Sequence, residues 1–312
     1  VSSGLDAKLV AAFDAGEMRA LAKMLSLAEA RDEKLFRFLQ ERAASRGGAR
    51  VFGLTGVPGA GKSTLVDRLL ATVRSRGARA AVLAVDPVSP YTGGALLGDR
   101  IRLQRHFNDP GVFIRSLSTR GRLGGLSAAT RQAVHVCEAF QMPYVFLETV
   151  GVGQSEVDVR HHADVTAVLL TPEWGDGVQA IKAGILEIGD LFFVNKADRP
   201  GSDRVVKELK EALSFLERSD VPVVAIEAQR EDTGELAFRT LEDRYAALAP
   251  LRAKRREEAA QRTLRELVED RVLRDVRRWL DARRDGGDPY GAYLEFLKTY
   301  RPEAGGLERG ER

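Results

Sequence analysis

Eight consecutive residues, Gly56-Val57-Pro58-Gly59-Ala60-Gly61-Lys62-Ser63, follow the pattern of a glycine, four free positions, then Gly-Lys-Ser. Glycines let consecutive backbone N–H groups curl round a phosphate without Cβ obstruction. A helix starting here adds its positive end, Lys62 can neutralise β- and γ-phosphate oxygens, and the Ser63 hydroxyl can ligate Mg²⁺. An apolar run, Val51 to Thr55, precedes the loop and a helical stretch from Ser63 to Arg74, holding Thr64, follows it. That context separates a phosphate loop from a chance glycine-rich turn.

A second signal, Asn195-Lys196-Ala197-Asp198, comes ~130 residues later and directly after the apolar run Leu191 to Val194. A carboxylate placed there accepts from both guanine N1–H and the exocyclic amino group. Adenine has a bare acceptor at N1 and no such amino group, so a buried carboxylate facing it would lose both partners. Asn195 can brace the loop and the Lys196 stem can cover the ring. The expected ligand is therefore GTP or GDP in preference to the adenine nucleotides.

Three acidic residues lie between these motifs. Asp86 closes Ala80 to Val85, Asp99 sits in Gly98-Asp99-Arg100, and Glu148 closes Tyr144 to Leu147. Carboxylates at the C-terminal ends of parallel strands surround the ligand crevice, where they can reach Mg²⁺ or its waters. Lys62, Asp86 and Glu148 are the expected catalytic groups, and Ser63, Asp86, Asp99 and Glu148 the expected metal set. Gly151-Val152-Gly153-Gln154-Ser155-Glu156 should move with the γ-phosphate, because glycines permit large backbone changes. In Ras-like proteins a water-orienting glutamine follows the corresponding glycine directly. Here Val152 does, so slow unaided hydrolysis is expected, with a partner or second subunit completing the site.

Positioning these residues requires strands alternating with helices. Short apolar runs at Val51–Thr55, Ala80–Val85, Phe113–Ile114, Tyr144–Leu147, Val165–Leu170, Leu191–Val194 and Val221–Ile226 predict strands, and Ser127 to Phe140 a helix. Near-continuous apolar strands indicate a sheet buried on both faces, and βα alternation makes it parallel. Residues 1–48 form a helical extension in which Gly16 separates two helices. Residues 49–249 form the α/β domain and 250–312 a helical arm. In that arm Leu264, Val268, Val272, Val276 and Leu280 repeat at i+4 on a heavily charged helix. Gly286-Gly287 ends this helix and Pro289 opens a shorter one.

Among 312 residues, 48 Lys and Arg face 45 Asp and Glu, a net charge of +3. A basic pI resting on so small a difference does not point to nucleic acid. A single cysteine, Cys137, excludes an internal disulfide framework and a cysteine-based zinc cage. No apolar run reaches the ~20 residues needed to cross a bilayer. Asp6, Asp14 and Glu17 are unlike a secretory or transit leader, so a cytoplasmic protein without membrane partners is expected. The chain opens at Val1 instead of Met, so residues ahead of it are expected in the natural protein. Cys137 reads as core, His161 and His162 as a solvated helix end, and the cluster Arg252, Lys254, Arg255, Arg256 as a solvated helix face.

Together these motifs resemble the MeaB/ArgK-type GTPases, the G-protein chaperones of adenosylcobalamin-dependent acyl-CoA mutases. The resemblance rests on Gly56 to Thr64, Asp86-Pro87 through Thr92-Gly93-Gly94 to Gly98-Asp99, Glu148 to Glu156, and Asn195 to Asp198. It extends to Gly175-Asp176-Gly177-Val178-Gln179-Ala180-Ile181-Lys182, where Asp176, Gln179 and Lys182 fall on the polar positions of that family's third switch. Gly16 to Leu27 and Asp288-Pro289-Tyr290 match as well. Two positions depart from the pattern. Glu173-Trp174 stands where the family has small residues, and Glu227-Ala228, followed by Gln229, where a Ser-Ala pair touches the guanine edge. The Ala228 N–H is still expected to serve guanine O6.

The resemblance implies a P-loop NTPase fold with a doubly wound, mainly parallel sheet and a C-terminal dimerisation arm. It also implies Mg²⁺-dependent GTP hydrolysis that gates delivery, protection or exchange of adenosylcobalamin on a mutase, methylmalonyl-CoA mutase foremost. An adenosyltransferase would be a further partner. A nickel-type metallochaperone GTPase, a kinase of an amino-acid transport component and a GTP-responsive scaffold are the alternative readings.

Overall fold

The computed structural model describes residues 4–43, 48–86, 103–118, 125–149, 159–173, 184–281 and 288–299. Seven parallel strands form one sheet: β1 (Arg50–Gly56), β2 (Ala80–Asp86), β3 (Val112–Ser118), β4 (Tyr144–Thr149), β5 (Val165–Leu170), β6 (Leu191–Asn195) and β7 (Val223–Ile226). Their order is β3-β2-β4-β1-β5-β6-β7. β1 lies centrally between β4 and β5, so the chain reverses direction across the sheet at β1. Leu54 pairs in register with Glu148 and with Ala167. That arrangement opens a ligand crevice beyond the C-terminal ends of the strands.

The strands read as unbroken apolar runs because both faces are covered. Phe52 and Leu54 of β1, Val82 of β2 and Phe146 of β4 enter one core. Val51, Ala81, Leu83, Val145 and Leu147 enter the other. This is the period-two alternation of a strand, with an apolar residue required on each side. The first core is covered by helices α4 (Lys62–Ser75), α7 (Ser202–Phe215) and α8 (Thr233–Ala247). The second is covered by α5 (Gly125–Ala139), in which Cys137 is fully buried as expected, and by α1 (Ala7–Asp14), α2 (Met18–Ala30) and α3 (Glu33–Glu41). Phe13 stacks edge-on against Phe38 and Phe140 with centroids 5.5 and 5.0 Å away.

Three N-terminal helices thus stand where two were expected. Arg31 adopts a left-handed backbone at φ 54°, and Asp32 caps the next helix by accepting from the Lys34 N–H at 2.8 Å. β3 also runs four residues past Ile114. Its polar tail is held by Arg115, which donates to the Ala22 carbonyl at 3.1 Å, the Ser26 hydroxyl at 3.0 Å and Glu29 at 2.5 Å.

The described chain falls into two compact units, 1–266 and 267–312. The long helix α9 (Ala249–Asp281) begins in the first and ends in the second, with Pro250 in its first turn, where a missing N–H costs nothing. In the second unit Trp279 packs against Phe296 of α10 (Pro289–Thr299), ring centroids 5.2 Å apart. The remaining short helix, α6, spans Ile185–Ile188. No helix among the described residues is long and apolar enough to cross a membrane.

Candidate functional site

The phosphate loop connects the C-terminal end of β1 to the first turn of α4. Gly56 has φ 131°, Gly59 φ 74° and Gly61, the residue before α4, φ 92°. A side chain at Gly56 would place its Cβ 2.1 Å from the Leu169 carbonyl oxygen of β5, so the loop lies against the neighbouring strand only because this residue is glycine. The Lys62 ammonium donates to the carbonyls of Gly56 at 2.6 Å and Val57 at 3.1 Å. These bonds hold a buried cation over the loop, ready to exchange carbonyl oxygens for phosphate oxygens.

Next to it the Ser63 hydroxyl donates to Glu148 Oε1 at 2.6 Å, both side chains buried. Glu148 comes from β4, the strand beside β1, and this contact joins two motifs 85 residues apart in the chain. A hydroxyl and a carboxylate, both hard oxygen donors, suit Mg²⁺, which takes one or two carboxylates and completes its shell with phosphate and water. The pair fits that ion. Among the described residues no group of three His, Cys, Asp or Glu side chains converges as a metal cage.

The loop expected to read the base follows β6. Asn195 is buried and crosslinks three segments. Its Nδ2 donates to the Ala60 carbonyl of the phosphate loop at 2.6 Å, and its Oδ1 accepts the Ala228 N–H at 2.8 Å. The Ala228 amide, expected to face guanine O6, is thus engaged by Asn195. The carboxamide is the nearer partner because β6 and β7 are adjacent strands, with Asn195 in register with Ile226. Lys196 takes a left-handed backbone at φ 60°, and Asp198 is exposed. Glu173, one of the departures from the family pattern, forms ion pairs with Lys196 at 3.4 Å and with Arg199.

Arg68 was not among the expected site residues. From α4 its Nε donates to the Ala228 carbonyl at 3.3 Å and its Nη2 to the Gln229 carbonyl at 2.6 Å. The Thr233 hydroxyl fixes the Glu227 carbonyl at 2.6 Å. Arg68 lies five residues beyond Ser63 and belongs to no motif, so only the folded position of α4 reveals these contacts.

The structure therefore brings Gly56 to Thr64, Glu148, Asn195 to Asp198 and Glu227 to Gln229 to one end of the sheet. Asp86 ends β2 on the same end, paired in register with Ser118. Asp99, Gly151, Gln154, Asp176, Gln179 and Lys182 lie outside the described residues.

Two other expectations change. His162 is buried, on a turn after the 3₁₀ segment Val159–His161, instead of lying on a solvated helix end. Gly53 lets this turn approach, since a Cβ there would meet Val159 at 2.8 Å and Ala163 at 3.0 Å. Arg255 and Arg256 do not lie on a fully solvated helix face. Arg255 pairs with the buried Asp190 at 2.8 Å and Arg256 with the buried Asp164 at 3.0 Å.

A family model described as methylmalonyl Co-A mutase-associated GTPase MeaB matches residues 21–280. A Pyrococcus horikoshii protein carrying a GTPase name is 51% identical over 208 residues, 67% of this chain and 66% of that protein. A Caenorhabditis elegans protein, methylmalonic aciduria type A homolog, mitochondrial, is 44% identical over 147 residues, 47% of this chain and 37% of its own length. The matched stretch thus spans just under two thirds of the first relative and less of the second. Among solved structures, that of a LAO/AO transport system kinase superposes with TM-score 0.69 at 25% identity, covering 94% of this chain and 96% of that one.

Proposed function

The chain belongs to the MeaB family of methylmalonyl Co-A mutase-associated GTPases, and we propose on that premise that it hydrolyses Mg²⁺–GTP to gate the cofactor state of an acyl-CoA mutase. One observation carries the nucleotide half of this reading. The Asn195 carboxamide ties the phosphate loop to the loop holding Ala228, which fixes the spacing between phosphate grip and purine reader. In the proposed complex the amides of Val57 to Lys62 wrap the β-phosphate, with Pro58 shaping the loop without offering a donor. Lys62 leaves the Gly56 and Val57 carbonyls for β- and γ-oxygens, and Asp198 accepts from guanine N1–H and its amino group. Glu227 to Gln229 border the base through their backbone.

Ser63 and Glu148, joined by Asp86 and Asp99, would hold Mg²⁺, which supplies charge neutralisation on the transferred phosphoryl group. Together Asp86, Asp99 and Glu148, the last now accepting a hydrogen bond from Ser63, would organise the metal and the attacking water. Gly151, Gln154, Asp176, Gln179 and Lys182 are the proposed switch residues, whose two shapes must bind the partner with different affinity for GTP to gate anything. With Val152 where a water-orienting glutamine would stand, hydrolysis by the isolated chain should be slow.

Methylmalonyl-CoA mutase is the proposed partner, supported by the family description and by the name of the nematode relative. An adenosyltransferase is a second partner in this scheme. Within it, 1–48, 49–249 and 250–312 act as helical extension, GTPase domain and dimerisation arm. Calorimetry with Mg²⁺ present should show GDP bound far more tightly than ADP, and comparable affinities would end the guanine reading. Pull-downs of candidate mutases with GDP and with a non-hydrolysable GTP analogue should differ in yield, and equal capture would end the gating reading.

A further inference from the structure

A second polar cavity lies at the opposite end of the sheet from the phosphate loop. It has a volume of about 410 Å³ and is bounded by Val51 at the start of β1, by α5 from Arg131 to Glu138, by the turn Arg160–Asp164 leading into β5, and by α9 between Arg252 and Arg262. That volume falls within the range of small-ligand sites. The cavity's walls hold six arginines against three carboxylates, Glu138, Asp164 and Glu258.

Carboxylates offset only part of this charge: Asp164 pairs with Arg256, and Asp190, outside the lining, pairs with Arg255. Asp164 accepts from the Val51 N–H at 3.0 Å and from Arg256, while Glu258 lies 3.9 Å from Lys254. Three of the guanidinium groups end instead on backbone carbonyls, Arg160 on Glu187 at 2.7 Å, Arg131 on His161 and Arg252 on Tyr245. A carbonyl satisfies an N–H but leaves the positive charge in place. Arg131 is the most confined of them, its Nε buried with no hydrogen-bond partner. Burial holds its pKa below the ordinary arginine value. The same cations, with burial as the larger cause, hold His161 and His162 below the usual histidine range. A buried donor without a partner inside a positively charged cavity is costly unless an anion completes it.

We propose that this cavity is a second ligand site, taking a compact polyanion of the phosphate class, with Arg131 as its deepest cation and Arg160, Arg252 and Arg262 around it. Guanidinium groups arriving from a helix, a turn and a second helix approach the space from different directions. That suits the tetrahedral oxygens of a phosphoryl group better than a single planar carboxylate. The site is independent of the nucleotide reading, since it shares no residue with the phosphate loop.

The test is calorimetry of the full chain with pyrophosphate under saturating GDP, so that the phosphate loop is already filled. One further binding event is expected, weakened about tenfold or more by Arg131→Met and by Arg262→Gln, with GDP affinity unchanged in both variants. Arg262 is exposed on α9, so its substitution reports on the site even where Arg131→Met fails to fold. Citrate serves as the carboxylate arm and should bind more weakly. Abolition of the event by GDP, equal affinity in wild type and the Arg262 variant, or citrate binding as tightly as pyrophosphate would each overturn the proposal.

Discussion

Asp198 is the residue on which base selection depends in the proposed mechanism, and its chemistry can be inverted. Asp198→Asn keeps the shape but presents one acceptor and one donor in place of two acceptors. Xanthine carries a carbonyl where guanine has its amino group, so the variant should lose affinity for GDP by about 10²-fold or more and gain it for xanthosine diphosphate. Calorimetry with both nucleotides decides this, and an unaltered GDP affinity would remove Asp198 from the site. His162 offers a separate test through its burial, which holds it neutral in the fold, followed in effect by Arg131, His161, Arg262 and His135. The unfolded chain takes up a proton there below about pH 6.5 while the native chain does not, so this residue makes stability fall as the pH drops through that value. Its share of the slope approaches about 1.4 kcal/mol per pH unit only below that value, and His162→Gln should reduce the stability difference between pH 7 and pH 5.5 in denaturant titrations by about 1 kcal/mol in total. The sequence disclosed Asp198 but not the burial of His162. The motif around Asp198 is defined by residue type, whereas His162 is buried by a turn that packs on Gly53, 109 positions earlier in the numbering.

At the scale of elements, the phosphate loop, β6 and the loop after β7 act as one unit because Asn195 joins them. Asn195→Ala would leave the Ala60 carbonyl and the buried Ala228 amide without their partner. Each such loss costs about 1–3 kcal/mol, so the variant should be less stable and bind nucleotide more weakly. Gly61→Ala should act on the same joint from the other side, since φ is 92° and the new Cβ would lie 2.3 Å from Asn195 Nδ2. Arg68→Met should weaken nucleotide binding with a smaller loss of stability, because its carbonyl acceptors border the surface. Finding Asn195→Ala as stable and as tightly binding as wild type would show that the joint has no energetic role. The strands were readable from sequence wherever both faces are buried, and Val165–Leu170 has the same limits in sequence and structure. The polar tail of β3 was not, since Arg115, Ser116 and Ser118 form a strand only through contacts with β2 and, for Arg115, with α2. The α2–α3 break was also hidden, because nothing in an arginine announces a left-handed backbone.

At the scale of the molecule, the sheet separates the proposed nucleotide site, at the C-terminal ends of the strands, from the cationic cavity at the N-terminal ends. Neither employs the apolar stripe of α9 that begins at Leu264. Leu264 is 63% exposed, Val268 54% and Leu280 54%, although their i+4 spacing aligns them on one side of a helix about 50 Å long. Hydrophobic side chains repeated in this way on an otherwise charged helix have no reason to persist in an isolated chain, whereas a second copy would cover them symmetrically. Burying each such side chain contributes about 1.5–3 kcal/mol, so several together can exceed the entropic cost of association. The wild-type chain should therefore sediment as a dimer at micromolar concentration. The Val268→Glu/Val272→Glu double variant should sediment as a monomer while binding GDP as tightly as wild type, because neither residue lies in the nucleotide site. A monomeric wild-type chain, both with GDP and without, would remove the dimer from the proposed scheme and leave the stripe on α9 to some other partner.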